Sequence, residues 1–251
     1  MKIKASVVIL THNSVTNIEN ISNILSDFDE VVIIDDFSDD RIEDLCSKSS
    51  FKYFKRHLNG NFSSQRNFAL TKAKNDWVLF LDSDESVNEV FVQNLNKVIE
   101  EDNYDGLYIP RKVFFLGHLM RGTEMGSDRI LRLAKKDKGR WLRKVHERWV
   151  VSGKVGEFEY AIIHNTATDL ITFINKMNSY HEIHARENLV TGKESSILKI
   201  SLYPLYKFAY NFLFLGGFKD EVHGFVVSVM MSFHTFLSWS DAWLIKKGQT
   251  Q

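Results

Sequence analysis

The feature that most constrains this chain is a pattern that recurs in its first third, a short apolar run that stops abruptly at polar side chains. Such runs are SVVIL at 6–10, EVVII at 30–34 and WVLFL at 77–81. Their length and β-branched content predict strands of a parallel sheet that is buried on both faces. Apolar residues at helical spacing in 17–28, 63–74 and 87–100 predict helices between and after the strands, with Ser63 as the N-cap of the second.

The alternation of strands and helices predicts an α/β fold, with a mostly parallel, Rossmann-like sheet flanked by helices. In open sheets of this kind, ligands bind beyond the carboxyl ends of the strands. The polar side chains at the three predicted strand ends are Thr11, His12 and Asn13, then Asp35 and Asp36, then Asp82, Ser83 and Asp84. We therefore expect these three clusters to lie together at one edge of the sheet.

The acidic triplet at 82–84 is the strongest chemical signal. Two carboxylates placed directly after a buried strand repel each other and lose hydration, and a divalent cation relieves both penalties. Mg²⁺ and Mn²⁺ suit carboxylate oxygens and keep phosphate oxygens among their ligands. The alternative is a solvated acidic turn or a helix cap, but the preceding strand and the two other polar strand ends favour a metal site. Asp35 and Asp36 have the same two interpretations, a capping turn or a nucleoside contact.

Several classes of function are excluded or disfavoured. The chain has no phosphate-binding loop of the GxxxxGK[ST] type, and no GxGxxG follows the first strand, which argues against an ordinary kinase or nicotinamide dehydrogenase. Thirty-two basic residues balance thirty-two acidic ones, so no nucleic-acid partner is expected. The single cysteine, Cys46, allows no internal disulfide and favours a reducing compartment. The first apolar run lacks a cleavage site and predicts a strand, not a signal peptide.

The last third of the chain is predicted to be helical and to contact a membrane. Residues 222–240 contain no Asp, Glu, Lys or Arg, which is long enough for a membrane span. Interspersed His, Ser and Gly residues favour an amphipathic helix instead, either lying on a bilayer or packing within the protein. Nearby lysines favour the cytoplasmic face of the membrane. We expect two regions, a catalytic domain at 1–165 and a helical, acceptor- and membrane-associating region at 166–251.

The motifs SVVILTHN, EVVIIDDFSDD, SSQRNFALTKAKNDWVLFLDSDE, RILRL and VHERWV occur in this order along the chain. Together they resemble glycosyltransferase family 2, whose fold is called GT-A. Their spacing and the apolar tail, with GGFKDEVHGF at 216–225, are particularly similar to bacterial enzymes that extend the lipopolysaccharide core, the β-1,4-glucosyltransferase-like group. The resemblance extends over nearly the whole chain.

This resemblance implies roles for individual residues. The implied donor-binding residues are Thr11, His12, Asn13, Asp35, Asp36, Arg66, Asp82 and Ser83. Among them, Asp36 would hold the base with support from Asp35, and Asp82 would face the ribose or sugar. Asp84 would bind a Mg²⁺ or Mn²⁺ ion, with His164 as a second ligand. His12 has a second interpretation as an ordinary surface histidine, and His164 as a polar strand end.

Glu147 occupies the acidic catalytic position of the family and would act as the general base. The sequence departs there from the family's commoner Glu-Asp pair. Glu147 has an alternative as an ion-pair partner of Arg143 or Arg148, and Glu124 and Asp128 are competing carboxylates. Arg129 and Arg132 are spaced so that they lie on opposite faces of a regular strand, and at most one of them faces the site.

The implied reaction is transfer of a sugar, with inversion, from a nucleoside diphosphate donor, a UDP-sugar, to a hydroxyl group of a glycolipid or oligosaccharide. Synthesis of lipopolysaccharide or another cell-surface glycan is the expected setting, with the protein peripheral on the inner face of the cytoplasmic membrane. Two alternatives stay open. One is transfer to a polyprenyl phosphate, and the other is a non-catalytic protein that binds nucleotide sugars or glycans.

Overall fold

The computed structural model describes residues 2–144 and 147–248 of the chain. The described strands are β1 (Ile3–Thr11), β2 (Phe28–Asp35), β3 (Lys52–Lys55), β4 (Trp77–Asp82), β5 (Glu85–Ser86), β6 (Gly106–Phe115), β7 (His118–Leu119), β8 (Asp128–Lys135), β9 (Gly139–Leu142), β10 (Arg148–Val151), β11 (Val155–Glu157) and β12 (Ile162–Ala167). The described helices are α1 (Val15–Leu25), α2 (Ile42–Ser49), α3 (Phe62–Lys72), α4 (Glu89–Glu101), α5 (Leu170–Val190), α6 (Ile197–Ala209) and α7 (Glu221–Lys246).

The chain divides into two compact units. The first consists of Met1–Arg111 and Asp128–His164, and the second of Lys112–Ser127 and Asn165–Gln251. The sheet has the strand order β3-β2-β1-β4-β8-β6-β12-β5. Its first four strands are parallel, while β8 runs antiparallel to both β4 and β6. The predicted α/β class, a sheet flanked by helices and followed by a helical region, is confirmed.

The register of the parallel strands aligns the polar strand ends. Thr11 lies opposite Asp35 on β2, and Leu10 lies opposite Asp82 on β4. Because all three strands run in the same direction, their carboxyl ends meet at one edge of the sheet, as the sequence predicts. The side chains of β1 alternate between two apolar clusters, with Val7 and Ile9 in one and Val8 in the other. Burial on both faces explains why the strands are continuous apolar runs.

Two boundaries predicted from the sequence are wrong in detail. Helix α3 is capped by the side chain of Asn61, which accepts the backbone N–H of Ser64 at 3.0 Å, whereas Ser63 lies inside the helix. Helix α1 ends at Leu25, and Phe28, predicted as its last apolar residue, begins β2 as part of the core. Phe28 fits either pattern, because a buried phenylalanine gives the same apolar signal in both.

The second unit is built from α5, α6 and α7, with a π-helical turn (Tyr210–Phe214) and a 3-10 turn (Gly217–Asp220) before α7. Asp220, fully buried at the start of α7, accepts the backbone N–H groups of Arg121 and Gly122 and lies 3.2 Å from His118. Gly122 is required there, because a Cβ atom at this position would lie 2.4 Å from the carbonyl oxygen of Gly216. The segment 112–127 is thereby fastened to the start of α7.

Helix α7 has an unusual distribution of side chains. Its buried positions include Gly224, Ser228, His234 and Ser238. Its aromatic residues Phe225, Phe233 and Phe236 are all exposed by more than two fifths. The stretch Gly217–Lys246 is long and apolar enough, by length and composition, to cross a membrane. Val227, Trp239 and Ala242 are also buried, and Val227 packs in an apolar cluster of the second unit. The inward side of the helix therefore mixes apolar, small and polar residues, while a second set of apolar residues faces outward.

Candidate functional site

Asp82, the last residue of β4, lies between two buried arginines. Nη2 of Arg66 donates to Oδ1 of Asp82 at 2.7 Å, and Nη2 of Arg132 donates to Oδ2 at 2.5 Å. Burial raises the pKa of Asp82, but the two guanidinium groups outweigh it and hold the pKa well below its ordinary value. Asp82 is therefore a fixed negative charge at the edge of the sheet. As predicted, only one arginine of the 129–132 pair faces this cluster, because Arg129 is exposed and binds Glu157.

Glu85 lies beneath Asp82 and is 1% exposed. It accepts the backbone N–H of Asp82 at 2.9 Å, and its other oxygen lies 3.7 Å from Arg132 and 3.6 Å from Arg111. Burial and the charge of Asp82 raise the pKa of Glu85. Burial lowers the pKa of Arg132, but the neighbouring carboxylates outweigh it and raise that pKa above its ordinary value. The group is an alternating row of charges, with each arginine between carboxylates.

Glu147 joins this row through Arg66. Nε of Arg66 donates to Oε1 of Glu147 at 3.0 Å, and the Glu147 side chain is 16% exposed. Within the described residues, Arg66 is the ion-pair partner of Glu147, and neither Arg143 nor Arg148 forms a pair with it. Arg66 thus holds one carboxylate from the end of β4 and one from the connection between β9 and β10. Arg66 itself is only 3% exposed and contacts protein carboxylates.

The competing carboxylates lie elsewhere. Asp128 accepts two hydrogen bonds from Arg111, at 3.0 and 2.8 Å, and is 43% exposed. Glu124 belongs to the second unit, where it pairs with Lys207 and accepts no hydrogen bond from Arg66. Glu147 is the one of the three that shares a partner with Asp82.

Neighbouring residues of α3 fasten the β9–β10 hairpin that carries Glu147. The side-chain amide of Asn67 donates to the carbonyl oxygen of Trp141 at 2.8 Å and accepts its backbone N–H at 3.0 Å. Trp141 stacks on Trp149 with 5.3 Å between the ring centroids, and the Arg66 guanidinium lies 4.6 Å above the Trp141 ring. Arg66 and Asn67 therefore fix, respectively, the acidic side chain and the backbone of one hairpin.

Asp84 and His164 form a second pair, and both side chains are partly buried. Nε2 of His164 lies 3.2 Å from Oδ2 of Asp84, and the two side chains are 15% and 23% exposed. Pairing of β12 with β5 sets this contact, because His164 lies opposite Glu85 in the sheet. His164 Nδ1 is buried and has no hydrogen-bond partner among the described residues.

These two side chains suit a divalent metal that is shared with a substrate. One carboxylate and one imidazole, together with phosphate oxygens, are acceptable ligands for Mn²⁺ or Mg²⁺. Among the described residues there is no group of three or more His, Cys, Asp or Glu side chains that can hold a metal by themselves. The donor set therefore fits a metal whose remaining ligands come from a diphosphate and water.

The two carboxylates at the end of β2 accept hydrogen bonds mainly from neutral groups. Asp35 is fully buried and accepts the hydroxyl groups of Ser38 and Tyr53, the latter at 2.7 Å. Burial and the Asp35 carboxylate raise the pKa of Tyr53 above its ordinary value. Asp36 is 30% exposed and accepts the backbone N–H of Leu58 at 2.9 Å. Asp35 therefore shapes the turn, and Asp36 is the carboxylate with an exposed surface.

The remaining predicted residues surround this turn. His12 Nδ1 lies 2.8 Å from the carbonyl oxygen of Asp36, and Asn13, in the left-handed region at φ 51°, donates its backbone N–H to Ser38. Thr11 is buried, and its hydroxyl group has no hydrogen-bond partner among the described residues. Ser83 lies at the other strand end and donates to the Ser14 hydroxyl at 3.2 Å.

The structure also brings to these clusters some residues for which the sequence predicted no role. The ring of Phe37 stacks on His57 at 3.8 Å beside Asp36, and both are exposed. Glu85 and Asn67 directly adjoin predicted site residues, so proximity in sequence was an available signal for them. Arg111 and His57 gave no comparable signal, because only the register of the sheet and the path of a loop bring them near.

Comparison with known proteins gives the family and the fold. Residues 6–148 match the family described as Glycosyl transferase family 2. A relative named "Uncharacterized glycosyltransferase" from Rickettsia bellii is 24% identical over 249 residues, which cover 93% of this chain and 84% of the relative. Poly(ribitol-phosphate) beta-N-acetylglucosaminyltransferase TarS of Staphylococcus aureus is 33% identical over 120 residues, covering 43% of this chain and 21% of TarS.

Among solved structures, the mannosyltransferase PcManGT from Pyrobaculum calidifontis, in complex with GDP-Man and Mn²⁺, has a TM-score of 0.55 and 11% sequence identity. The match covers 98% of this chain and 88% of that one. At this identity the likeness is one of fold.

Proposed function

The chain belongs to glycosyl transferase family 2, and from this premise we propose that it moves a sugar from a nucleoside diphosphate donor, a UDP-sugar, to a hydroxyl group of a glycolipid or oligosaccharide. The polar strand ends of the first unit support a nucleotide-sugar donor. The partial similarity to TarS, which is named for transfer of N-acetylglucosamine to a poly(ribitol-phosphate), supports a cell-surface glycan as the acceptor. The resemblance of the motifs and tail to enzymes of lipopolysaccharide core synthesis supports that setting in particular.

The observation that carries the proposal is the bridge from Asp82 through Arg66 to Glu147. It supports Glu147 as the general base, because a base has to lie beside the strand ends where the donor binds. In the proposed step, the acceptor oxygen attacks the anomeric carbon as the bond between that carbon and the diphosphate oxygen breaks. The acceptor proton passes to the Glu147 carboxylate, and UDP leaves. A single displacement of this kind inverts the anomeric configuration.

Asp84 and His164 would hold the divalent metal, Mg²⁺ or Mn²⁺. When bound, the metal would stabilise the negative charge that develops on the diphosphate. Asp82 is already paired with two arginines. Asp84 lies beside the imidazole of His164, and this juxtaposition supports these two side chains as the ligands.

The donor nucleotide is proposed to bind at the ends of β1 and β2. Asp36 would contact the base, Asp35 would keep the turn in shape, and His12, Asn13, Thr11 and Ser83 would line the pocket. Asp82 keeps its proposed place near the ribose or sugar. Arg66 changes role in this proposal. Because it is buried between two carboxylates, we assign it to positioning Glu147 and Asp82 in place of direct contact with the nucleotide.

We retain the division of the chain into a transferase domain at 1–165 and an acceptor- and membrane-associating region at 166–251. The outward aromatic residues of α7 support peripheral contact with a membrane. Exposed apolar residues of α6, including Leu198, Leu202 and Leu205, support the same contact. With lysines nearby, the proposed location is the inner face of the cytoplasmic membrane.

The decisive experiment compares Glu147→Gln with the parent protein. Release of UDP from common UDP-sugars is measured with Mn²⁺, first with water as the acceptor, and UDP affinity is measured by calorimetry. We expect Glu147→Gln to lose about 100- to 10,000-fold in turnover and to keep its UDP affinity, because only proton transfer is removed. Glu157→Gln is the matched control, since Glu157 is an exposed carboxylate of the same unit that pairs with Arg129.

Three results would change the proposal in different ways. Near-normal turnover of Glu147→Gln would move the base to Asp128 or Glu124. Binding of UDP by the parent protein without any turnover would favour a non-catalytic binding protein. Affinity for another nucleotide and none for UDP would overturn the donor assignment alone.

A further inference from the structure

The β9–β10 hairpin has one inward face and one outward face of different chemistry. Trp141 and Trp149 lie opposite each other and are buried. On the outward face, Arg148 lies opposite Leu142, and Val150 lies opposite Arg140. Each cross-strand pair on the outward face therefore consists of one arginine and one aliphatic residue, and all four side chains are exposed.

Four cations of this hairpin have no acidic partner among the residues that the structure describes. Arg140, Arg143, Lys144 and Arg148 are exposed and form no ion pair within the described part of the chain. The one carboxylate of the hairpin, Glu147, is bound by Arg66. Elsewhere in the first unit, some basic residues pair with carboxylates and others, such as Lys48 and Lys97, form no ion pair among the described residues. The hairpin differs because its four unpaired cations lie within the stretch 140–148. The hairpin is therefore a concentration of uncompensated positive charge in a chain with no net charge.

We propose that the outward face of the β9–β10 hairpin docks on the anionic surface of a lipid bilayer. Leu142 is 44% exposed and Val150 is 53% exposed, and both lie between the arginines. A face that alternates cationic and apolar side chains can pair with lipid phosphates while its apolar groups enter the headgroup region. A soluble anion would instead be bound by donors that converge on one point, and the apolar residues would gain nothing from it.

Docking of this hairpin would define the acceptor more closely. Glu147 lies in the connection between the two strands, so the proposed base would be brought to the lipid surface together with the hairpin. The hydroxyl group that accepts the sugar would then belong to a membrane-embedded glycolipid, on a sugar close to the headgroup. This inference rests on the proposed transferase function, and it concerns a different element from the apolar helices of the second unit.

The test measures binding of the full-length protein to two kinds of vesicle, one of phosphatidylcholine alone and one of phosphatidylcholine mixed equally with phosphatidylglycerol. The variant is Arg140→Gln/Arg148→Gln, and the matched control is Lys48→Gln/Lys97→Gln, which removes the same charge from exposed helix positions of the same unit. We expect the hairpin variant to lose about tenfold or more in affinity for the anionic vesicles, with little change on neutral ones. The control should bind like the parent protein.

A second variant separates docking from simple charge attraction. Leu142→Ser/Val150→Ser keeps all four cations, and it should also weaken binding to anionic vesicles if these residues enter the headgroup region. UDP affinity, measured in parallel, reports whether each variant remains folded. Vesicle binding that is equal in the parent, hairpin and control proteins would overturn the proposal.

A loss of affinity for soluble inorganic triphosphate in Arg140→Gln/Arg148→Gln, with unchanged vesicle binding, would also overturn the proposal and indicate a soluble anion. Failure of the transferase function would be recognised separately. A parent protein that binds anionic vesicles through the hairpin but never releases UDP from a UDP-sugar would contradict the proposed function and leave the docking itself intact.

Discussion

The two units of the molecule bury titratable groups by opposite means. In the first unit, the guanidinium groups of Arg66 and Arg132 are buried on either side of the Asp82 carboxylate, which balances their charge. In the second unit, His234 is 7% exposed, and the titratable groups that act on it are His184, His181 and Lys207. Burial, followed by these neighbours, lowers the pKa of His234 to about 4, so the side chain is neutral at physiological pH.

This difference indicates that the charged cluster around Asp82 belongs to a functional site, whereas His234 serves the packing of the second unit. A buried charge that is balanced by opposite charges is expensive to assemble, and replacing such a pair by apolar groups is often neutral or stabilising. Its presence at the strand ends therefore points to a use for the fixed charges. A buried neutral histidine needs no such balance and behaves as a polar packing residue until acid forces a proton onto it.

The largest expected effect comes from removing the central charge of the first unit. Asp82→Asn leaves two buried arginines without one of their carboxylate partners, and we expect it to lower the free energy of unfolding by about 4 kcal/mol. Chemical denaturation at neutral pH measures this. Asp84→Asn is the matched control. Because Asp84 lies beside the His164 imidazole and does not separate two buried guanidinium groups, we expect a smaller loss, of about 1 kcal/mol.

The same pair of variants tests the division of labour within the acidic triplet. Asp84→Asn should weaken Mn²⁺ binding in the presence of UDP by at least about 10-fold. Removing a residue that only supports a metal ligand typically costs about 10-fold in metal affinity, and removing the ligand itself should cost more. Equal destabilisation by the two substitutions would contradict the contrast between Asp82, which lies between two buried arginines, and Asp84, which lies beside His164. Undiminished Mn²⁺ binding by Asp84→Asn would remove Asp84 from the proposed metal site.

The second prediction concerns acid stability and His234. Because its pKa is lowered on folding from 6.5 to about 4, the unfolded chain binds more protons between these values. The contribution of His234 to stability is therefore complete above about pH 6.5 and is lost as the pH falls towards 4, by up to about 3 kcal/mol. His234→Gln should flatten this part of the stability profile, whereas His57→Gln, at an exposed position, should leave it unchanged. Parallel profiles for His234→Gln and the parent protein would show that His234 is not buried in a neutral form.

The third prediction tests how the hairpin with Glu147 is held. Asn67→Ala removes two hydrogen bonds to the backbone of Trp141, and we expect it to lower the free energy of unfolding by about 2 kcal/mol. If Asn67 positions the base, kcat should fall while KM for the donor and UDP affinity stay unchanged. Fluorescence of the stacked tryptophans should also report the altered hairpin. Asn20→Ala, an exposed helical change, is the control, and a rise in KM with normal kcat would argue against a positioning role.

The sequence predicted the strand ends well because buried parallel strands have a strong local signature. The runs before Thr11, Asp35 and Asp82 are apolar on both faces, and their shared direction determines where their polar ends meet. The cap of α3 was less predictable, since Asn61 and Ser63 are both suitable N-cap residues and only the path of the chain decides between them.

The contacts between the site residues were harder to predict than the identity of those residues. Arg66 and Glu147 are 81 residues apart in the chain, and no local pattern indicates that they share a hydrogen bond. The spacing of Arg129 and Arg132 predicted that they lie on opposite faces of the strand. It did not predict which of the two is buried, because strand periodicity does not identify the inner face. Pairings across the sheet depend on register, and register is determined by the whole assembly of strands.

The smallest expected effect comes from comparing two ion pairs whose atoms are equally close but whose arginines differ in burial. Two arginines of β8 pair with carboxylates at nearly equal separation, Arg129 with Glu157 at 2.6 Å and Arg132 with Asp82 at 2.5 Å. The first pair is 51% and 67% exposed, so water screens it and both ends lose rotational freedom in forming it. Arg129→Ala should therefore change the free energy of unfolding by less than about 1 kcal/mol, and added salt should reduce that effect further. Arg132→Met, which leaves Asp82 and Glu85 without this arginine, should destabilise the protein by several times as much. Denaturation of the two variants in low and high salt measures the difference.

The contrary result would be that Arg129→Ala is as destabilising as Arg132→Met. The distance between the charges, and not their burial, would then determine the strength of these pairs. The contrast between the paired charges of the first unit and the neutral histidine of the second would lose its physical basis.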